Sequence, residues 1–206
     1  MRSIKILTVL PMLMLLGTAV LAQRGTLKAE INYTVGLPTG SLSDVVDNNT
    51  SWRGGELAIM YSLNERLSLG LQFGMQDFYK RYPRTLIHEN GSDISAVVTN
   101  SINVMPVLLK GKMSLAPTGM VQPFVGLGVG GNLIEYRKYY GEFVDSRYKF
   151  GFAAQPSLGV HVPFGKNSRA GFHVAAGYNF MPFEYNEVDG LHHAVIKAGV
   201  SLPLQQ

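Results

Sequence analysis

Cysteine is absent from this chain. Disulfide bonds, thiol nucleophiles and cysteine-ligated metals are therefore excluded together. Dense runs of Lys and Arg are missing as well. The formal charge is +4, but Arg2 and Lys5 stand in an N-terminal stretch without acids, so residues 23–206 carry only +2. Nucleic acid is not an expected partner. The third absence is a second long apolar run. Beyond the first 22 residues nothing approaches the roughly 20 apolar residues that a membrane helix needs. If the chain crosses a membrane, strands must do it.

What is present begins with a leader. Arg2 and Lys5 form a positive start, residues 6–16 are apolar apart from Thr8 and Pro11, and Val20-Leu21-Ala22 places small residues before Gln23. This pattern predicts a signal peptide over 1–22 and a mature domain over 23–206. The apolar part is too short for a retained span.

The rest of the chain alternates. Leu27, Ala29, Ile31, Tyr33, Val35 and Leu37 are separated by Lys28, Glu30, Asn32, Thr34 and Gly36. A period of two puts successive side chains on opposite faces and marks strands. Eight are predicted: 27–37, 53–63, 67–78, 97–115, 121–133, 150–162, 170–180 and 192–204. The connections are sorted by length. Short turns fall at 64–66, 116–120 and 164–169; long loops fall at 38–52, 79–96, 134–149 and 181–191. Short turns at one end and long loops at the other fit an all-β, eight-stranded, antiparallel up-and-down transmembrane β-barrel, with the turns and both chain termini in the periplasm. A soluble barrel has no reason to sort its loops. Pro106 and Pro156 fall within strands, where bulges or strand ends are expected because a closed ring has no edge.

The two faces differ in chemistry. One is apolar throughout. The other carries glycines (among them Gly70, Gly74, Gly126, Gly128 and Gly130), amides and a few charges of both signs. That mixture suits a narrow lumen, where eight strands leave just enough room for side chains. By parity Glu30, Glu56, Lys110, Lys112 and Lys197 face inward. They read as a satisfied ion-pair plug, since buried charges must be paired, or as a polar pore or gate; the small diameter favours the plug. Leu108 also faces inward.

The run Gln122-Pro123-Phe124-Val125-Gly126-Leu127-Gly128-Val129-Gly130 resembles the central strand of small eight-stranded outer-membrane barrels of the OmpA-like type. Leu67-Ser68-Leu69-Gly70-Leu71 and Gly151-Phe152-Ala153-Ala154-Gln155-Pro156 resemble that family too, and the likeness spans the whole mature chain. It implies a barrel in a Gram-negative outer membrane, delivered by the barrel assembly machinery. It also implies a non-enzymatic part in envelope integrity, adhesion or host interaction. The ending Ser201-Leu202-Pro203-Leu204-Gln205-Gln206 lacks the terminal aromatic that the machinery commonly reads; Leu204 or a different signal takes that place. No peptidoglycan-binding domain is expected after the barrel, so cell-wall anchoring is not carried over.

Other motifs weigh less. Gly126–Gly131 fits GxGxxG, but a dinucleotide site needs that sequence between a strand and a helix, and here it lies within a strand. His161, His173, His192 and His193 are the candidates for catalysis or metal. His192 and His193 begin the last strand near Glu184, Glu187 and Asp189, a placement that permits a lipid-modifying hydrolase or acyltransferase. Adjacent strand residues point to opposite faces, so these two cannot easily share a metal; rim histidines bonded to loops are the simpler reading. No catalytic residue, metal or cofactor is assigned. Arg81, Arg84, Arg137 and Lys138 sit among aromatics in the second and third long loops. Arg pairs with phosphate bidentately, so these four are expected to contact lipopolysaccharide head groups. The expectation is a non-enzymatic barrel with a structural or surface-interaction role through its loops. Its alternatives are an outer-leaflet lipid-modifying enzyme and a small pore.

Overall fold

The structure is a computed structural model that describes residues 25–46, 50–81, 85–89, 92–96, 98–140, 143–165, 168–182, 184–185 and 188–204. The leader expected at 1–22 lies outside them. The alternating segments become β1 (Thr26–Pro38), β2 (Ser51–Ser62), β3 (Leu67–Arg81), β6 (Val98–Ser114), β7 (Gln122–Tyr140), β8 (Phe143–Pro163), β9 (Gly171–Asn179) and β12 (His193–Pro203). Between them lie α1 (Ser41–Val46), the hairpin β4 (Thr85–Glu89) and β5 (Ser92–Ala96), and the two-residue pair β10 (Glu184–Tyr185) and β11 (Val188–Asp189). The eight long strands close into one antiparallel barrel in the order β1-β12-β9-β8-β7-β6-β3-β2.

Burial is inverted relative to a soluble protein. Leu71, Leu109 and Leu127 are more than half exposed on the outside, while Glu30, Gln72, Lys110, Gln155 and Lys197 are buried inside. The apolar face looks outward because lipid is its solvent, and backbone groups within the ring bond to neighbouring strands. Among described residues no helix is long and apolar enough to cross a membrane.

Two sequence expectations need correction. Residues 134–149 are not a long loop: β7 and β8 stay paired from Gln122 with His161 up to Tyr140 with Phe143. At 19 and 21 residues these strands are about twice as long as the roughly 9–11 residues that cross a bilayer. Nor do the prolines create bulges. Pro106 pairs without a shift opposite Asn132 of β7. Toward β3 the ladder lapses between Phe73–Val107 and Gln76–Val104, then resumes in the same register. Pro156 behaves alike: it pairs with Leu127 of β7, while the β8–β9 ladder breaks off at Ser157 and returns only as the bridge between Ala154 and Phe180. Each proline lacks one N–H, and each aims the missing donor at the flank where the ladder lapses. The one-residue register shift occurs elsewhere, between Thr34 and Gly36 where β1 meets β2.

Candidate functional site

The lumen is arranged in three layers, two of them filled. At the end carrying the long connections, strand side chains meet two loops in an apolar plug. Leu42 and Val46 of α1 and Met181 and Leu191 of the last loop pack against Phe78, Ile102, Val104, Leu108 and Ile134. Local geometry seats α1: Gly40, at φ +61°, turns the chain, the Ser43 hydroxyl donates to the Gly40 carbonyl (2.6 Å), and Thr39 N–H donates to the His192 carbonyl (3.1 Å). Leu108, an apolar residue on a polar face, is explained by its neighbours. A Cβ on Gly128 would lie 2.9 Å from Leu108 Cδ1, so the leucine fills the room that glycine leaves.

The middle layer is ionic. Glu30 (β1), Glu56 (β2), Lys110 and Lys112 (β6) and Lys197 (β12) meet here. Lys110 Nζ lies 3.3 Å from Glu30 Oε2 and 3.4 Å from Glu56 Oε1. Lys112 Nζ donates to Glu30 Oε1 at 2.5 Å and Lys197 Nζ to Glu56 Oε2 at 2.5 Å. Alternation places each on the inner face, and the ring brings strands remote in sequence within reach.

From this cluster an amide chain runs toward the plug, which sequence reasoning did not find. Lys197 Nζ and Gln72 Nε2 both donate to Gln155 Oε1 (2.6 and 2.8 Å). Gln155 Nε2 donates to Asn179 Oδ1 (2.7 Å). Asn179 Nδ2 donates to His193 Nε2 (2.7 Å), and His193 Nδ1 donates to the Leu191 carbonyl (3.0 Å). An amide nitrogen only donates and a carbonyl only accepts, so the imidazole proton belongs on Nδ1. Single-residue parity marks these side chains as inward, but the pairing depends on which strands close the ring.

The two histidines at the long-loop end are held by their neighbours. Both ring nitrogens of His193 are engaged, and its ring stands edge-on to Phe78 at 5.0 Å. His192 stacks on Phe180 (4.8 Å, 14°), and its Nδ1 accepts from Met181 N–H (3.1 Å). The side chains of Glu184, Glu187 and Asp189 lie outside the described residues. His161 and His173 pair across β8 and β9 at the opposite end, with ring centroids 6.4 Å apart.

The bottom layer is a cavity of about 340 Å³ at the short-turn end, rimmed by Lys28, Arg66, Lys112 and Arg169.

The outer rim is lopsided. β3, β6, β7 and β8 rise as a four-stranded wall, pairing as far as Arg81 with Thr99 and Val98 with Tyr140. β9 stops at Asn179 and β1 at Pro38. On this wall Glu135 accepts from Arg137 Nε (2.6 Å) and from the Tyr148 hydroxyl (2.7 Å). Of the other cations expected to meet lipopolysaccharide, Arg81 and Lys138 are placed by backbone register. Their side chains, and all of Arg84, lie outside the described residues.

Residues 8–202 match the family model for the outer membrane protein beta-barrel domain. Among solved structures the chain is similar to Neisserial surface protein A, at 12% identity and a TM-score of 0.53, over 86% of this chain and 96% of that one. It is similar to the outer membrane protein OprG from Pseudomonas aeruginosa at 13% identity and a TM-score of 0.50, over 88% and 97%. At such identities the likeness concerns the fold. No curated protein sequence matches the chain.

Proposed function

This chain belongs to the outer membrane protein beta-barrel domain family, and from that premise we propose that it serves the cell surface as a non-enzymatic recognition barrel, engaging partners through its outer wall. The observation that carries this reading is the upper part of β8. The Ala154 N–H and carbonyl both bond to Phe180 (2.9 and 2.8 Å), so residue 154 turns its backbone groups away from β7. Backbone direction alternates along a strand, so Phe152, Phe150 and Tyr148 do the same. Beyond that bridge β8 pairs with β7 alone among the described residues. An open edge of this kind templates the pairing of an extended segment, and the exposed Tyr148 and Phe150 beside it supply apolar contact. The packed plug and ionic layer favour recognition over conduction.

The same rim carries the cations proposed to contact lipopolysaccharide phosphates. Replacing Arg81, Arg84, Arg137 and Lys138 with Ser is expected to lower lipopolysaccharide co-purification; unchanged lipid content sinks that contact. The edge is tested with proline. At 148 and 150 the backbone N–H points away from β7, so Tyr148→Pro and Phe150→Pro block the edge and spare the ladder. A library of extended synthetic peptides is screened against the refolded barrel by fluorescence anisotropy. Binders that lose affinity about tenfold, one lost backbone contact with its flanking pair, support the reading. Binding that ignores both prolines defeats it.

A further inference from the structure

The cavity at the short-turn end lies on the opposite side of the membrane from the proposed recognition wall and calls for its own explanation. We propose that it is a periplasm-facing site for a phosphate-class oxyanion.

Charge is the first observation. Lys28, Arg66, Lys112 and Arg169 line the cavity against two carboxylates, Glu30 and Glu65. Glu30 is 3% exposed and already held by Lys112 at 2.5 Å and Lys110 at 3.3 Å, so its charge is directed inward. Glu65 stands on an exposed turn. Among the described residues the side chains of Lys28 and Arg66 make no hydrogen bond and no close ion pair. Arg169 donates to a neutral partner, Thr26 Oγ1, at 2.7 Å. The ionic layer next to it adds to the imbalance: besides Lys112 and Glu30, already counted, it holds Lys110 and Lys197 against Glu56. A concave site concentrates such a field and draws anions to it.

Unused polarity is the second observation. Ser114 Oγ and His161 Nδ1 belong to lining residues, and neither has a hydrogen-bond partner. His161 is 8% exposed. Buried polar groups are normally satisfied; both atoms are closed off from the cavity, with under 1 Å² exposed, and of the two the Ser114 hydroxyl reaches a ligand's acceptor oxygen by rotating about its Cα–Cβ bond. Guanidinium and ammonium groups bind phosphate oxygens through charge-assisted bonds. The third observation is size. About 340 Å³ lies near the lower end of ligand pockets, roughly 300–1,000 Å³, which fits one phosphorylated head group and excludes a polymer.

A soluble phosphate ester and the head group of an inner-leaflet phospholipid share this chemistry, and the experiment separates them. The mature barrel is refolded in a non-ionic detergent and titrated with inorganic phosphate by calorimetry. A parallel sample is placed in nanodiscs containing phosphatidylglycerol, and its bound lipid is quantified after extraction with the detergent. The variants are Lys28→Gln and Arg169→Gln, which leave the ionic layer intact, and Arg53→Gln on the outer rim as control. Heat-modifiable mobility on gels checks that each has folded. Saturable phosphate binding, weakened about tenfold by each cup variant and untouched by Arg53→Gln, assigns the site to a free phosphate. Retention of phosphatidylglycerol that both cup variants abolish, without binding of inorganic phosphate, assigns it to a lipid. Absence of both, or equal loss in the Arg53→Gln control, overturns the proposal.

Discussion

At the scale of single residues, the lumen shows how little freedom a filled interior leaves. Lys197 and Glu56 are buried and 2.5 Å apart. Removing one partner of a buried pair strands the other, whereas removing both is far milder. Lys197→Met leaves Glu56 only its longer contact with Lys110 (3.4 Å), so it is expected to cost up to about 3 kcal/mol in urea unfolding from lipid vesicles, and Lys197→Met with Glu56→Gln to recover much of it; equal losses would show that the pair is not coupled. Glycines give a second contrast. A Cβ on Gly130 would lie 2.2 Å from the Val107 carbonyl oxygen, which is backbone and cannot yield, whereas on Gly128 it meets the flexible end of Leu108 at 2.9 Å. Gly130→Ala is expected to destabilise by about 1–3 kcal/mol. Gly128→Ala should cost less and be relieved by Leu108→Val in the same unfolding assay. Parity along single strands places Glu30, Glu56, Lys110, Lys112 and Lys197 on one face. It cannot tell that Lys197 reaches Glu56 and Gln155, because that depends on β12 closing against β1.

At the scale of elements, the same parity fails for a physical reason. Alternation records the two environments that flank a strand, lipid outside and filled lumen inside. Above the bilayer both are gone. Residues 134–149 are rich in tyrosine and charge without a two-residue rhythm, so they read as a loop, yet the β7–β8 ladder runs through 134–140 and 143–149 without a break. Pro156 conceals the complementary fact, since nothing local announces which neighbour its missing donor faces. If the upper hairpin is an extension and not part of the crossing unit, it is dispensable for folding. Replacing residues 137–146 with Asn-Gly, which joins the paired Tyr136 and Arg147 and favours a tight hairpin turn, is expected to preserve the shift in gel mobility on boiling. A lost shift would make the wall part of the barrel's own stability.

At the scale of the whole molecule, the barrel's seat in the membrane can be read from its single tryptophan. Trp52 opens β2 at the long-loop end and is 66% exposed, and the Tyr33 hydroxyl donates to its carbonyl. Indole rings on a lipid-facing rim settle at head-group depth. Lipids brominated close to the head group should therefore quench its fluorescence more strongly than lipids brominated at the acyl terminus; the reverse order would shift the whole band. One of the four expected long loops, 134–149, proved to be paired strand, whereas the class and the short turns at one end were visible in the chain because they follow from periodicity and turn residues. The lopsided rim and the layered lumen were not, because they arise only when strands distant in sequence become neighbours. One such meeting, β1 against β12, also has a consequence in time. These strands lie at opposite ends of the chain, and their ladder from Lys28 with Pro203 to Pro38 with His193 closes the ring. Until that seam forms, β1 and β12 each present a bare edge that lipid cannot solvate. Insertion is thus all-or-none and slow, since contacts so far apart in the chain close late. A polypeptide lacking β12 is an aggregation hazard, not a smaller barrel.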